Sequence, residues 1–193
     1  MPEDEGLALY EAAREGAAPG PLLEIGSYCG RSTIYLGAAA RERGGVVYSI
    51  DHHRGSEEHQ PEQMYFDPRL TSETGEVDTF PVFRRTIAES GLDDVVVAIV
   101  GRSEVVARSW AAPLGLLFID GSHTEEAAQR DYECWTPFVV EDGLLAIHDV
   151  FADPAEGGRA PFHIYRRALD SGAFEEIGER GSLRVLQRVA QDL

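Results

Sequence analysis

The strongest constraint on this chain is a rhythm. Short apolar runs, each closed by a glycine or an acid, alternate with stretches of helical pattern. The runs 21–25 (PLLEI), 46–50 (VVYSI) and 95–100 (VVVAIV) stop at Gly26, Asp51 and Gly101. The runs 115–119 (GLLFI) and 143–148 (GLLAIH) stop at Asp120 and Asp149. Runs this short and this apolar suit strands buried on both faces. Helical patterns lie over 7–17, 79–90, 103–110, 124–136 and 161–171. Another helix, capped by Ser32 or Thr33, runs to about Arg43 and ends at Gly44-Gly45. Two final strand-like runs, 173–178 and 182–189, meet across Glu179-Arg180-Gly181 as an antiparallel hairpin.

Strands alternating with helices form a parallel sheet covered on both faces. The expectation is therefore an α/β, Rossmann-like chain. It has a mostly parallel seven-stranded sheet, helices on both faces and a C-terminal antiparallel hairpin. A chain of 193 residues without internal repeats suits one domain, 1–193. The rhythm breaks over 52–78, which is polar, holds Pro61 and Pro68 and shows little periodicity. A connection this long in a compact domain reads as a lid or active-site loop.

Ligands of such sheets bind beyond the carboxyl ends of the strands. That rule gathers Gly26 to Gly30, Asp51, Gly101 to Glu104, Asp120 to His123 and His148-Asp149 into one candidate pocket. The loop Glu24-Ile-Gly26-Ser27-Tyr28-Cys-Gly30 leads from strand to helix, where glycines admit a ligand close to the backbone and free N–H groups await an anion. Asp51, ending the next strand, can accept both hydroxyls of a ribose. A dinucleotide fingerprint has the spacing G-x-G-x-x-G. Here acid-x-G-x-x-x-G is one residue wider, which disfavours a nicotinamide oxidoreductase.

The segment EIGSYCGRS at 24–32 resembles the glycine loop of class I S-adenosylmethionine-dependent methyltransferases, in particular the catechol O-methyltransferase-like branch. The resemblance spans about 20–150. It implies S-adenosyl-L-methionine as cofactor, with Glu24 and Gly26 beside the methionine portion and Ser32 on its carboxylate. It places Asp51 on the ribose, and Ser103 with Glu104 at the adenine. Ser27, Tyr28, Gly30, His52, Gly101 and Asp120 complete the candidate cofactor contacts. Cys29, within the loop, reads as a small packed side chain rather than a nucleophile. Cys134, in a helix beside Trp135, reads as core.

Asp120 and Asp149 end neighbouring strands, so their carboxylates converge and need a cation or a proton between them. Oxygen ligands of this kind suit Mg²⁺, and the resemblance to metal-dependent O-methyltransferases points the same way. The plainer alternative makes Asp120 a helix cap and Asp149 a turn acid. His123 stands where the catechol enzymes carry a Lys base and the macrolide-sugar O-methyltransferases a His. This sequence contains no Lys. His123 is therefore the candidate general base, with a capping or exposed histidine as the plain alternative. His148 is a candidate metal ligand alongside Asp120 and Asp149. It could equally be a group behind the ligands or a ring facing the acceptor.

The chain carries 17 basic and 34 acidic residues, a formal charge of −17. Such a surface repels nucleic acids and anionic membranes, and no basic patch offsets it. The acidic start and the two cysteines fit a cytoplasmic protein without a signal peptide. The expected activity is O-methylation of a small-molecule hydroxyl, a sugar or oligosaccharide, with His52, His53, Arg54, His59, Tyr65 and Phe66 available from the long connection. Two alternatives stay open, a metal-independent small-molecule methyltransferase and a non-catalytic nucleotide-binding module of the same fold, and for assembly a homodimer stays open.

Overall fold

The computed structural model describes all residues except 58, 59, 64, 65, 154, 156 and 190–193. Seven strands form one sheet: β1 (Leu22–Ile25), β2 (Val47–Asp51), β3 (Val96–Val100), β4 (Leu114–Ile119), β5 (Val139–Ile147), β6 (Phe174–Arg180) and β7 (Leu183–Arg188). Their order is β3-β2-β1-β4-β5-β7-β6. The first five run parallel, and β7 is antiparallel to both β5 and β6. The expected sheet and closing hairpin are therefore present. The hairpin turns at Gly181-Ser182, slightly later than the sequence suggested.

Among the described residues, six α-helices cover the two faces: α1 (Glu3–Glu11), α2 (Arg31–Glu42), α3 (Phe80–Glu89), α4 (Ser103–Ala107), α5 (Glu125–Trp135) and α6 (Ala160–Asp170). Alternation within the strands divides the core. Leu22, Val47, Leu116, Phe118 and Leu144 pack with Leu9 and Leu36 under α1 and α2. Leu23, Ile50, Leu117, Ile119 and Leu145 pack with Trp135 and Ile164 under α5 and α6. β1 and β4 are buried at every position, as central parallel strands must be.

Other boundaries differ from expectation. α1 starts at Glu3, not residue 7, because Pro2 takes the N-cap and Glu3, Asp4 and Glu5 favour the positive end of the helix dipole. It ends in a π turn over Ala12–Gly16. β5 begins at Val139 because a register shift, with Asp142 at φ 61°, absorbs the polar Glu141-Asp142 pair within the strand. α4 stops at Ala107. The connection after β2 is partly built: a 3-10 turn over Pro68–Leu70, a bridge from Thr71 to Val77, and a buried Val77. Among the described residues no helix is long and apolar enough to cross a membrane.

Candidate active site

The carboxyl ends of β1, β2, β3 and β4 open on one cavity of about 300 Å³. Its wall includes Gly26, Tyr28, Asp51, His52, Gly101, Ser103, Glu104 and Asp120, eight of the expected cofactor residues. Gly26 sits at φ +87°, where a Cβ would stand 2.2 Å from the Asp120 carbonyl oxygen. Only glycine lets the loop after β1 lie directly against the loop after β4. Asp51 organises that loop. Its Oδ2 accepts from the Ser27 N–H at 3.0 Å and the Tyr28 N–H at 2.8 Å, and its Oδ1 from the His53 N–H at 2.6 Å.

Glu24, Ser27, Gly30 and Ser32 lie beneath the cavity wall. Glu24 is fully buried and its carboxylate turns toward α2. Ser32 Oγ donates to it at 2.5 Å, Thr33 Oγ1 at 2.6 Å and Ser49 Oγ at 2.8 Å. The Ser32 hydroxyl, expected at the methionine carboxylate, is thus committed to a buried acceptor that needs donors. Burial pushes the Glu24 carboxyl up to about 7, against the three hydroxyls that draw it down. Ser27 is buried, and Gly30 caps α2 in the left-handed region at φ +90°. Burial, with Asp51 and Asp67 nearby, pushes the Cys29 thiol up to about 11, so it carries no nucleophilic thiolate.

Beyond β3, buried Ser103 donates to buried Asp131. Burial lifts the Asp131 carboxyl to about 6 despite that hydrogen bond. Asp131 was not expected from the sequence. Its signal was present: it shares a helical stripe with Ala128, Tyr132 and Trp135, all buried. An acid on an apolar stripe marks a partnered, buried carboxylate.

β4 and β5 pair in register through Ile119 and Ile147, so Asp120 and His148 emerge side by side. Asp149 follows at φ 56°, a left-handed conformation that Asp tolerates. Asp120, His123 and Asp149 each offer a ligand atom, all within 4.8 Å of one another. His123 Nε2 lies 3.1 Å from Asp149 Oδ2. Burial would raise Asp149, but hydrogen bonds and charge from His123 and His148 hold it well below the usual carboxylate range. Burial raises Asp120 above its ordinary value. The cap of α5 is Thr124, whose hydroxyl accepts from the Ala127 N–H. Asp120 is therefore not the helix cap of the plainer reading.

His148, expected among the metal ligands, lies behind the Asp120 and Asp149 carboxylates. It is 4% exposed, with Nδ1 3.1 Å from Asp120 Oδ1 and 3.3 Å from Asp149 Oδ1. Its Nε2 is 2.7 Å from Glu5 Oε2. Both ring nitrogens thus face carboxylates. Burial alone would lower this imidazole, but Asp120 and Asp149 together lift it to about 11.

Of the residues expected from the long connection, His52 lines the cavity and accepts the Arg54 N–H on Nδ1 at 3.0 Å. His53 is buried, 2.8 Å from Thr79 Oγ1 and packed on Phe80 and Phe83. Arg54 pairs with Glu76. His59 and Tyr65 lie outside the described residues. Gly55, Ser56 and Glu57 also line the cavity, and Ser122 Oγ donates to Glu57 across it at 3.1 Å.

Residues 23–150 match the model of a methyltransferase domain family, and the chain belongs to that family. Solved structures share the fold. An O-methyltransferase from Bacillus cereus in complex with SAH is 17% identical, over 98% of this chain and 82% of its own, with a TM-score of 0.67. The O-methyltransferase NovP is 19% identical, over 97% of this chain and 79% of its own, with a TM-score of 0.70. CalS11, a calicheamicin methyltransferase, is 16% identical, over 93% and 76%, with a TM-score of 0.65. Its apo structure names it a TDP-rhamnose 3'-O-methyltransferase. The chain is thus a methyltransferase with the S-adenosylmethionine-dependent class I fold.

Proposed function

We propose that this protein transfers the methyl group of S-adenosylmethionine to a hydroxyl of a small molecule, assisted by a divalent cation, Mg²⁺. The observation that carries the proposal is the meeting of Asp120, His123 and Asp149 at one point, with Asp120 also on the cavity wall. Two carboxylates at this spacing fit a hard divalent cation that keeps water or substrate oxygens in its remaining positions, with the imidazole beside them to take a proton. When bound, the cation supplies charge that holds the acceptor oxygen and makes its proton easier to remove.

The chain's own residues do the rest. Asp51 and the Gly26 loop hold the donor, with Ser103 and Glu104 at its adenine end. His123 takes the acceptor proton, oriented by the Asp149 carboxylate, which also stabilises the imidazolium that forms. The acceptor oxygen attacks the methyl carbon in line, the carbon–sulfur bond breaks, and its electron pair returns to sulfur. The inclusion of His123 in the three-residue group favours a second reading, in which its imidazole is the third ligand and the base lies elsewhere.

For the acceptor we propose a sugar hydroxyl. His123 occupies the base position as in the sugar enzymes of the resembled branch, and CalS11 by its name acts on a rhamnose. That substrate carries a diphosphate, whereas a net charge of −17 here favours an uncharged glycoside. A screen of glycosides and catechols with labelled S-adenosylmethionine, with and without EDTA, tests both parts. Turnover of glycosides that EDTA abolishes and Mg²⁺ restores is expected. Turnover of catechols alone would overturn the sugar assignment, and full activity after chelation would overturn the role of the cation.

A further inference from the structure

Two elements outside the family-matched segment meet behind the same carboxylates. Glu5, in the first turn of α1, is 3% exposed. Its Oε2 meets His148 Nε2 at 2.7 Å. Its Oε1 accepts from the Ser182 N–H at 2.6 Å and from Ser182 Oγ at 3.0 Å, in the turn between β6 and β7. From the other edge of its ring, His148 reaches Asp120 and Asp149. Ser182 Oγ also stands 3.5 Å from Asp149 Oδ1. Glu5, His148, Asp149 and Ser182 therefore close a circuit behind the site.

The circuit has a built cradle. Gly181 is at φ +53°, and a Cβ there would stand 2.2 Å from Glu5 Oε1 and 3.0 Å from its Cδ. The missing side chain at 181 is the space the Glu5 carboxylate occupies. Docking of α1 does not call for a charge, since burying a carboxylate costs more than burying an apolar side chain of similar size. What the carboxylate adds is orientation. It fixes the rotation of the His148 ring, so that Nδ1 faces the two aspartates. Carboxylates and imidazoles behind a metal's ligands set ligand orientation in this way.

We propose that Glu5 is a positioning residue of the cation site, acting through His148 to hold the Asp120 and Asp149 carboxylates in ligating geometry. This rests on the reading that Asp120 and Asp149 take a divalent cation. The methyltransferase core alone, residues 23–150, lacks both ends of the circuit. N-terminal helix and C-terminal hairpin together complete the site.

The test is a Mn²⁺ titration of the full chain followed by electron paramagnetic resonance, with S-adenosylhomocysteine affinity by calorimetry and Tm measured on the same samples. Glu5→Ala removes the carboxylate. Gly181→Ala displaces it while keeping its charge, and Glu5→Gln keeps one acceptor oxygen. The first two should weaken Mn²⁺ binding by about 10–100-fold while leaving S-adenosylhomocysteine affinity at the wild-type value, with Glu5→Gln intermediate. If Glu5→Ala does not fold, the other two variants decide. Wild-type Mn²⁺ affinity in the variants overturns the positioning role and leaves the cation site standing. Parallel losses of Mn²⁺ affinity, S-adenosylhomocysteine affinity and Tm reduce Glu5 to a structural residue and overturn it equally. A wild-type chain that does not bind Mn²⁺ overturns the cation site and this role together.

Discussion

Replacing Glu24 with Gln should change how stability responds to pH. Glu24 is fully buried, and its carboxyl is pushed from an ordinary 4.5 up to about 7 by burial, which outweighs the hydrogen bonds from Ser32, Thr33 and Ser49. Between those values the folded chain keeps a proton that the unfolded chain has released. Folding stability from this group is therefore fully present below about pH 4.5 and is lost as pH rises through 7. At roughly 1.4 kcal/mol per pH unit, the loss comes to about 3 kcal/mol. Glu24→Gln carries no titrating proton, and its amide still offers an acceptor to the hydroxyls, which can rotate to meet its NH₂. Urea unfolding of both proteins at pH 5, 6, 7 and 8 isolates the effect, because the other carboxylates cancel in the difference. The variant should gain about 3 kcal/mol on the wild type between the acid and alkaline ends. Parallel stability profiles would refute the reasoning, since they would mean that Glu24 ionises at an ordinary pH despite its burial.

Asp51→Asn should weaken S-adenosylhomocysteine binding by about 10- to 150-fold, the worth of a charge-assisted hydrogen bond at the ribose, measured by calorimetry; unchanged affinity would place the ribose elsewhere. Asp120→Asn and Asp149→Asn should each abolish most turnover while S-adenosylhomocysteine affinity remains, as single-turnover assays with added Mg²⁺ would report. His123→Ala should lower kcat by about 10²–10⁴-fold, and a rise in KM with kcat preserved would make it a binding residue.

Much of this arrangement was legible because central parallel strands are buried on both sides. Leu22 to Ile25 and Leu114 to Ile119 allow no polar face except where a partner waits, so their limits stand out in the sequence. Strand ends then located the cavity residues. What escaped depends on contacts between distant segments. Glu5 reads as part of an acidic, solubilising start until Leu9 and Ala13 are seen on its stripe and Ser182 meets it across the whole chain. Ser32 and Glu24 sit in a familiar glycine loop, yet their partners across α2 and β2 turn them away from the cavity. The early start of β5 was hidden because Glu141-Asp142 looks like a loop, whereas a bulge carries both residues within a strand. His148 was left with three roles because neighbours along the chain cannot reveal that both ring nitrogens face acids.

The hairpin joins the sheet out of chain order: β7, the later strand, takes the inner place against β5, and β6 takes the rim. While the chain is being synthesised, the edge formed by Leu144 to Ile147 therefore stays open until residues 183–188 have left the ribosome. That edge is fully apolar on both faces, the kind of unpaired strand that recruits another chain. Closure by the hairpin thus removes the edge that could pair with another chain. The tight Gly181-Ser182 turn brings the last strand to its place with little chain to search.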